Sequence, residues 1–301
     1  MAAGAASEAK GGLFAPLGER TFRTIWIASV LGNFGQLILG VGAAWEMTRL
    51  TSSASMVALV QTAMMLPLML VALPAGAIAD MFDRRRIAMG GLGVSIVAAS
   101  LLSVLAMTGH ATPWVILAFC SLIGVGVALY SPAWQASVSE QVAAEHLPAA
   151  ISLGSISYNL ARSFGPAIGG LIVIAAGARA AFAANALLYL PLLLAFFVWD
   201  RRHVPSRLPP ERIDRAIVSG ARYAFHARAI RSVLIRAFLF GLAGATASAL
   251  APLIAKDLLG GDAGTFGLLL GFGGAGAVVG ALLVGCSARG WGPKARRGCS
   301  R

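Results

Sequence analysis

An all-α protein that crosses a membrane several times is the fold class this sequence predicts, and three observations carry the prediction. Of its 301 residues 58% are hydrophobic and only 12% charged, with a mean hydropathy of +0.79; a soluble domain carries about 25% charged residues. The apolar residues gather into runs of the roughly 20 residues that a helix needs to cross a bilayer. No run alternates as a membrane barrel strand does, so each must satisfy its backbone hydrogen bonds within itself, as a helix.

Eight spans are predicted, at about 24–45, 55–79, 87–109, 113–133, 149–177, 180–199, 234–255 and 265–286. They divide the chain into an Ala/Gly-rich N-terminal segment (1–23), a six-helix bundle (24–199), a linker (200–233), two further spans (234–286) and a tail (287–301). The first span carries Asn33 and Gln36 three residues apart on one face, with Glu46 near its far end. The second runs into the charged stretch "GAIADMFDRRR", residues 76–86. The fourth contains Tyr130, and the fifth contains Arg162 with Asn159 three residues before it.

In the linker, "PSRLPPER" is turn-rich. The following "IDRAIVSGARYAF" places Ile213, Ala216, Ile217, Gly220 and Ala224 on one helical face. An amphipathic helix on the inner leaflet and an ordinary solvated linker helix both fit. The tail, "CSARGWGPKARRGCSR", is neither apolar nor helically periodic.

The net charge of +12 has a topological reading. With the N-terminus inside, 20 of the 24 basic residues fall on inner segments: the N-terminal segment, Arg84 to Arg86, the linker together with the start of the seventh span (Arg201 to Arg236), and the tail. That asymmetry is the positive-inside pattern, and it puts both termini in the cytoplasm of a cell inner (plasma) membrane protein. No nucleic-acid partner is expected.

Cys120, Cys286 and Cys299 have no paired spacing, and His110, His146, His203 and His226 fall in loops or span ends without ligand spacing, so neither metal nor cofactor is expected. No acid, base or metal groups converge at depth as an intramembrane enzyme would require. No phosphate loop of the G-x-x-x-x-G-K-[ST] kind supports direct ATP drive. The expected partners are membrane lipids and a small-molecule substrate.

Residues 76–86 resemble the signature between the second and third helices of the major facilitator superfamily. Gly76, Asp80, Arg84, Arg85 and Arg86 stand at or near the corresponding places, with Met81 for the usual arginine and Asp83 for the usual glycine. Together, "ALPAGAIADMFDRRR", "SPAWQASVSEQV", "SISYNLARSFGPAIGG" and "SRLPPERI" resemble the transmembrane secretion effector branch, which includes enterobactin exporters. The resemblance implies a first half of six helices and a partial second half of two. It also implies a conformational latch at Gly76, Asp80, Asp83 and Arg84 to Arg86, with Asp80 facing a helix N-terminus of the other half. Asp80 would also pair with Arg84 one turn on, if the helix continues. The competing reading is purely topological, the arginines holding the loop inside.

"ARSFGPAIGG" in the fifth span resembles the antiporter motif of family exporters, through Ala161, Gly165, Pro166, Gly169 and Gly170. The four-residue spacing of Gly165 and Gly169 presents a smooth face, expected to receive the glycine-rich eighth span. Arg162 is read either as a cavity cation for anionic or electron-rich substrate groups or as a structural arginine reaching carbonyls or the inner surface. Asn33 and Gln36, beside Tyr130, either line that cavity or bond between helices.

The functional expectation is alternating-access efflux of small amphipathic, drug- or siderophore-like molecules. A coupling proton would need a titratable group, and no acid lies at a span centre. The alternative is a truncated chain, altered from Cys286 on, that inserts without transporting.

Overall fold

A computed structural model describes residues 13–81, 83–200 and 228–274, together with 276. The linker from 201 to 227, with its expected amphipathic helix, and the tail 287–301 lie outside the described residues. A short 3-10 turn, Ala15–Gly18, leads into α1 (Arg20–Leu50). Then come α2 (Ala54–Met81), α3 (Arg84–Met107), α4 (Pro113–Gln141), α5 (Leu147–Ala176) and α6 (Ala178–Val198). After the linker, α7 (Arg228–Leu253) runs through a π turn, Ile254–Leu258, to α8 (Ala263–Gly274). No strand occurs among the described residues.

Helices α1 to α6 are long and apolar enough to cross a membrane, so the chain is a multi-pass membrane protein. Their ends reflect local chemistry more than hydropathy. Helix α4 continues to Gln141, beyond the expected end near 133. Its last turns are polar but still helical, with the Ser137 and Ser139 hydroxyls bonding to the carbonyls of Trp134 and Ala136. Helices α5 and α6 are separated by Gly177 alone, whose φ of +79° suits a residue without a Cβ.

Between α2 and α3 the helix does not continue from Asp80 to Arg84, so the condition under which the two would stand one helical turn apart is not met. Helix α2 stops at Met81, and Asp83 caps α3 by accepting from the backbone N–H groups of Arg85 (2.9 Å) and Arg86 (3.3 Å). Gly76 and Asp80 belong to α2; their side-chain surroundings lie outside the described residues.

Within the bundle, α1 packs on α5 and α6, α3 on α4 and α6, and α2 on α4. Its central core joins Leu39, Leu102, Ile116, Cys120 and Phe182, all fully buried. The end where α1 begins, rich in arginine, has a second core of Ile25, Leu92, Phe196 and Trp199. The outer surface is strongly apolar: Met69, Leu101, Leu171, Leu187 and Phe197 are all exposed. An exterior of this kind fits hydrocarbon and would be insoluble in water.

Candidate functional site: a cavity between the bundle and the last two helices

A cavity of about 550 Å³ lies where α1, α2 and α5 face α7 and α8. That volume falls within the range of small-molecule sites. Its polar lining is Gln36 from α1, Gln61 from α2, and Tyr158 and Arg162 from α5. Met64, Met65 and Phe266 supply much of the apolar wall. Among the described lining residues, Arg162 is the one charged side chain, and its guanidinium makes no hydrogen bond or ion pair to any described residue. A cation at this depth in a membrane protein is costly and marks a water-filled cavity or a ligand path.

Of the sequence-predicted candidates, the structure brings Gln36 and Arg162 together at this cavity. Asn33 lies one turn away and donates to the Ser157 hydroxyl at 2.9 Å, tying α1 to α5. Asn159 is exposed and bonds to its own helix, at the Ser155 carbonyl (2.8 Å), so it does not join Arg162 in the lining. Tyr130 is also absent from this lining. It packs edge-on against Phe196, ring centroids 6.3 Å apart, at the arginine-rich end. Tyr158 and Gln61 were missed, although signals existed. Tyr158 precedes Arg162 by one helical turn, and Gln61 is a polar residue in a nearly continuous apolar run.

Two helical pairings close the cavity away from the arginine-rich end. Val41 of α1 packs with Ala251, Ala255 and Phe266, and Trp45 lies against them. The Lys256 ammonium donates to the Thr48 carbonyl in the last turn of α1, where the helix leaves carbonyls without internal partners.

The second pairing sets α5 on α8 almost backbone to backbone. A Cβ on Gly170 would lie 2.5 Å from the Ala263 carbonyl oxygen and 3.1 Å from the Gly264 Cα. A Cβ on Gly267 would overlap the Pro166 carbonyl, and one on Gly274 would lie 2.8 Å from the Arg162 carbonyl oxygen. Pro166 supplies no N–H, so the Arg162 carbonyl loses its usual partner one turn on.

The face that receives α8 is therefore the Pro166 and Gly170 face, which corrects the expectation for Gly165 and Gly169. Those two turn toward α1 instead. A Cβ on Gly165 would lie 3.1 Å from Leu37 Cβ, and one on Gly169 would lie 3.1 Å from Ile38 Cα. The rotation of about 100° between successive helical residues separates the two faces. Ala161 is fully buried in the same helix.

At the arginine-rich end, Arg84 pairs with Glu140 at 3.0 Å and donates to the Ala136 carbonyl at 2.9 Å. Arg85 donates to the carbonyls of Phe196 (2.8 Å) and Phe197, in the last turn of α6. Arg86 is exposed. Two of the three arginines thus tie α3 to α4 and α6 within one bundle. Among the described residues no cluster of metal-binding side chains occurs.

The chain is similar to the staphyloferrin A transporter of Staphylococcus aureus, 27% identical over 263 residues, covering 85% of this chain and 65% of that one. It is also 27% identical over 222 residues to the multidrug efflux pump Tap of Mycobacterium tuberculosis and of Mycobacterium bovis, covering 69% of this chain and 52% of theirs. It therefore spans between about half and two thirds of the length of these relatives. Residues 11–289 match the transmembrane secretion effector family over most of the sequence. With an all-helical membrane bundle, a cavity facing two further helices and this match in hand, the chain belongs to the transmembrane secretion effector family of the major facilitator superfamily.

Proposed function

We propose that this chain is an exporter of small amphipathic molecules, holding its cargo between the six-helix bundle and α7–α8 and releasing it by alternating access. The observation that carries the reading is the cavity of about 550 Å³ with its Met and Phe walls and, among its described lining residues, one guanidinium. Relatives named for a siderophore and for multidrug efflux support the same cargo class. The basic excess at the α1 start supports cytoplasmic termini in a plasma membrane. Closure at the far end, through Lys256 and the α5–α8 seam, then corresponds to a state shut toward the outside.

The 83–86 cluster serves in this reading as a clamp on the inner end of the bundle, supported by the reach of Arg84 to α4 and of Arg85 to α6. Proton coupling would fall to an acid outside the described lining. Glu46 is the acid within α1, paired with Arg49 at 3.1 Å.

The test is efflux from proteoliposomes under an imposed proton gradient, with a panel of dyes and siderophores. Gradient-dependent movement of some of the panel is expected. If no compound moves, with or without the gradient, the reading fails.

A further inference from the structure

Resting on that reading, the composition of the cavity specifies the cargo more closely. Gln36, Gln61, Tyr158 and Arg162 line it, and none of the four makes a side-chain hydrogen bond to another described residue. A guanidinium donates and cannot accept; two amides and a phenol add further donors. Donors thus outnumber acceptors, and the described lining contains no carboxylate. A cationic amphiphile entering here would meet a like charge and no counter-ion among the described lining. A monoanion would meet one matching charge, and a second negative charge would find none. Met64, Met65 and Phe266 offer polarisable and aromatic surfaces to a flat apolar body.

We propose that the cavity selects monoanionic, acceptor-rich amphiphiles, with a carboxylate or sulfonate seated on Arg162 and an aromatic or polycyclic body against Met64, Met65 and Phe266. The amides of Gln36 and Gln61 and the Tyr158 phenol serve neutral acceptors on the same molecule. A planar guanidinium suits a carboxylate better than an ammonium does, because it offers two parallel N–H donors.

Three dansyl probes that differ in one group test this: dansylglycine (carboxylate), its amide (neutral) and dansylethylenediamine (cation). Binding is measured by fluorescence on the chain in zwitterionic-lipid nanodiscs, with empty nanodiscs subtracted. Dansylglycine should bind about tenfold to a hundredfold tighter than the amide, the span expected of a charge-assisted hydrogen bond, and the amine weakest. Arg162→Gln should reduce dansylglycine to the amide's affinity without changing the amide. Arg162→Lys should keep part of the preference. Gly40 lines the cavity with open space beside it, so Gly40→Leu should weaken all three probes by filling the site.

Should Arg162→Gln lose every probe, Arg162→Lys decides, and it must still rank dansylglycine first. Equal binding of all three probes, or a carboxylate preference that survives in Arg162→Gln, overturns the anion selection. Sensitivity to Gly40→Leu in that case would leave the cargo cavity itself standing. No binding of any probe, or binding indifferent to Gly40→Leu, overturns both.

Discussion

Replacing Gly170 with alanine adds one methyl group where the seam between α5 and α8 brings backbone against backbone. That carbon would sit 2.5 Å from the Ala263 carbonyl oxygen, whereas ordinary contact begins at 3.4 Å. The helices must separate locally by the difference, about 0.9 Å, because the obstacle is backbone and cannot rotate away. Overpacking of this kind costs about 1–3 kcal/mol. The readout is a disulfide between Ala167→Cys and Gly271→Cys, with Cys120, Cys286 and Cys299 changed to serine. A Cβ on Gly271 lies 3.7 Å from the Ala167 Cβ, inside the roughly 3.5–4.5 Å that a disulfide needs. Opening the seam by about 0.9 Å takes the pair past that limit, and crosslinking should slow severalfold. Gly169→Ala is the internal comparison, since its methyl group would press on Ile38 and Val41 of α1. If Gly170→Ala crosslinks at the unmodified rate, or if Gly169→Ala slows the reaction more, the assignment of faces is wrong.

Arg85→Ala should destabilise the purified chain by about 1–2 kcal/mol, because hydrogen bonds from a charged donor to the Phe196 and Phe197 carbonyls are lost in a half-buried setting; a melting temperature equal to that of the unmodified chain would remove the clamp. At the head of α8, the Thr265 backbone N–H at 3.0 Å holds the Asp262 carboxyl below its ordinary value. A carboxyl whose folded value is depressed stabilises fully above its unfolded value, near pH 4, and loses that contribution as pH falls through the folded value. Asp262→Ala should therefore melt below the unmodified chain at pH 7, the gap narrowing as the pH falls below about 4; a gap that widens on acidification would refute the cap.

The six helices of the first bundle were legible because apolar runs of span length have few other solutions in a protein this poor in charge. The helix ends were less legible. The polar tail of α4 is as helical as its apolar part, since serine and glutamine side chains there bond within their own helix. In the candidate site, Arg162 was conspicuous as a lone charge in an apolar span, and Gln36 as one of two amides on a face. The orientation of the fifth helix was harder to read, because Gly165 with Gly169 and Pro166 with Gly170 are adjacent registers of the same spacing. Which register meets α1 and which meets α8 depends on how the helices assemble. Tyr130 illustrates the same limit: nothing local distinguishes a ring that lines a cavity from one that packs on Phe196.

The grip of Arg85 on the last carbonyls of α6 matters for how force travels through the molecule. The chain leaves the bundle at Asp200, immediately beyond the turn that Arg85 holds. An unsupported helix terminus would fray under a pull from the linker and absorb the displacement. Held to α3, the end of α6 would pass such tension to the body of the bundle, and in the proposed alternating-access cycle the six helices would then turn as one lever.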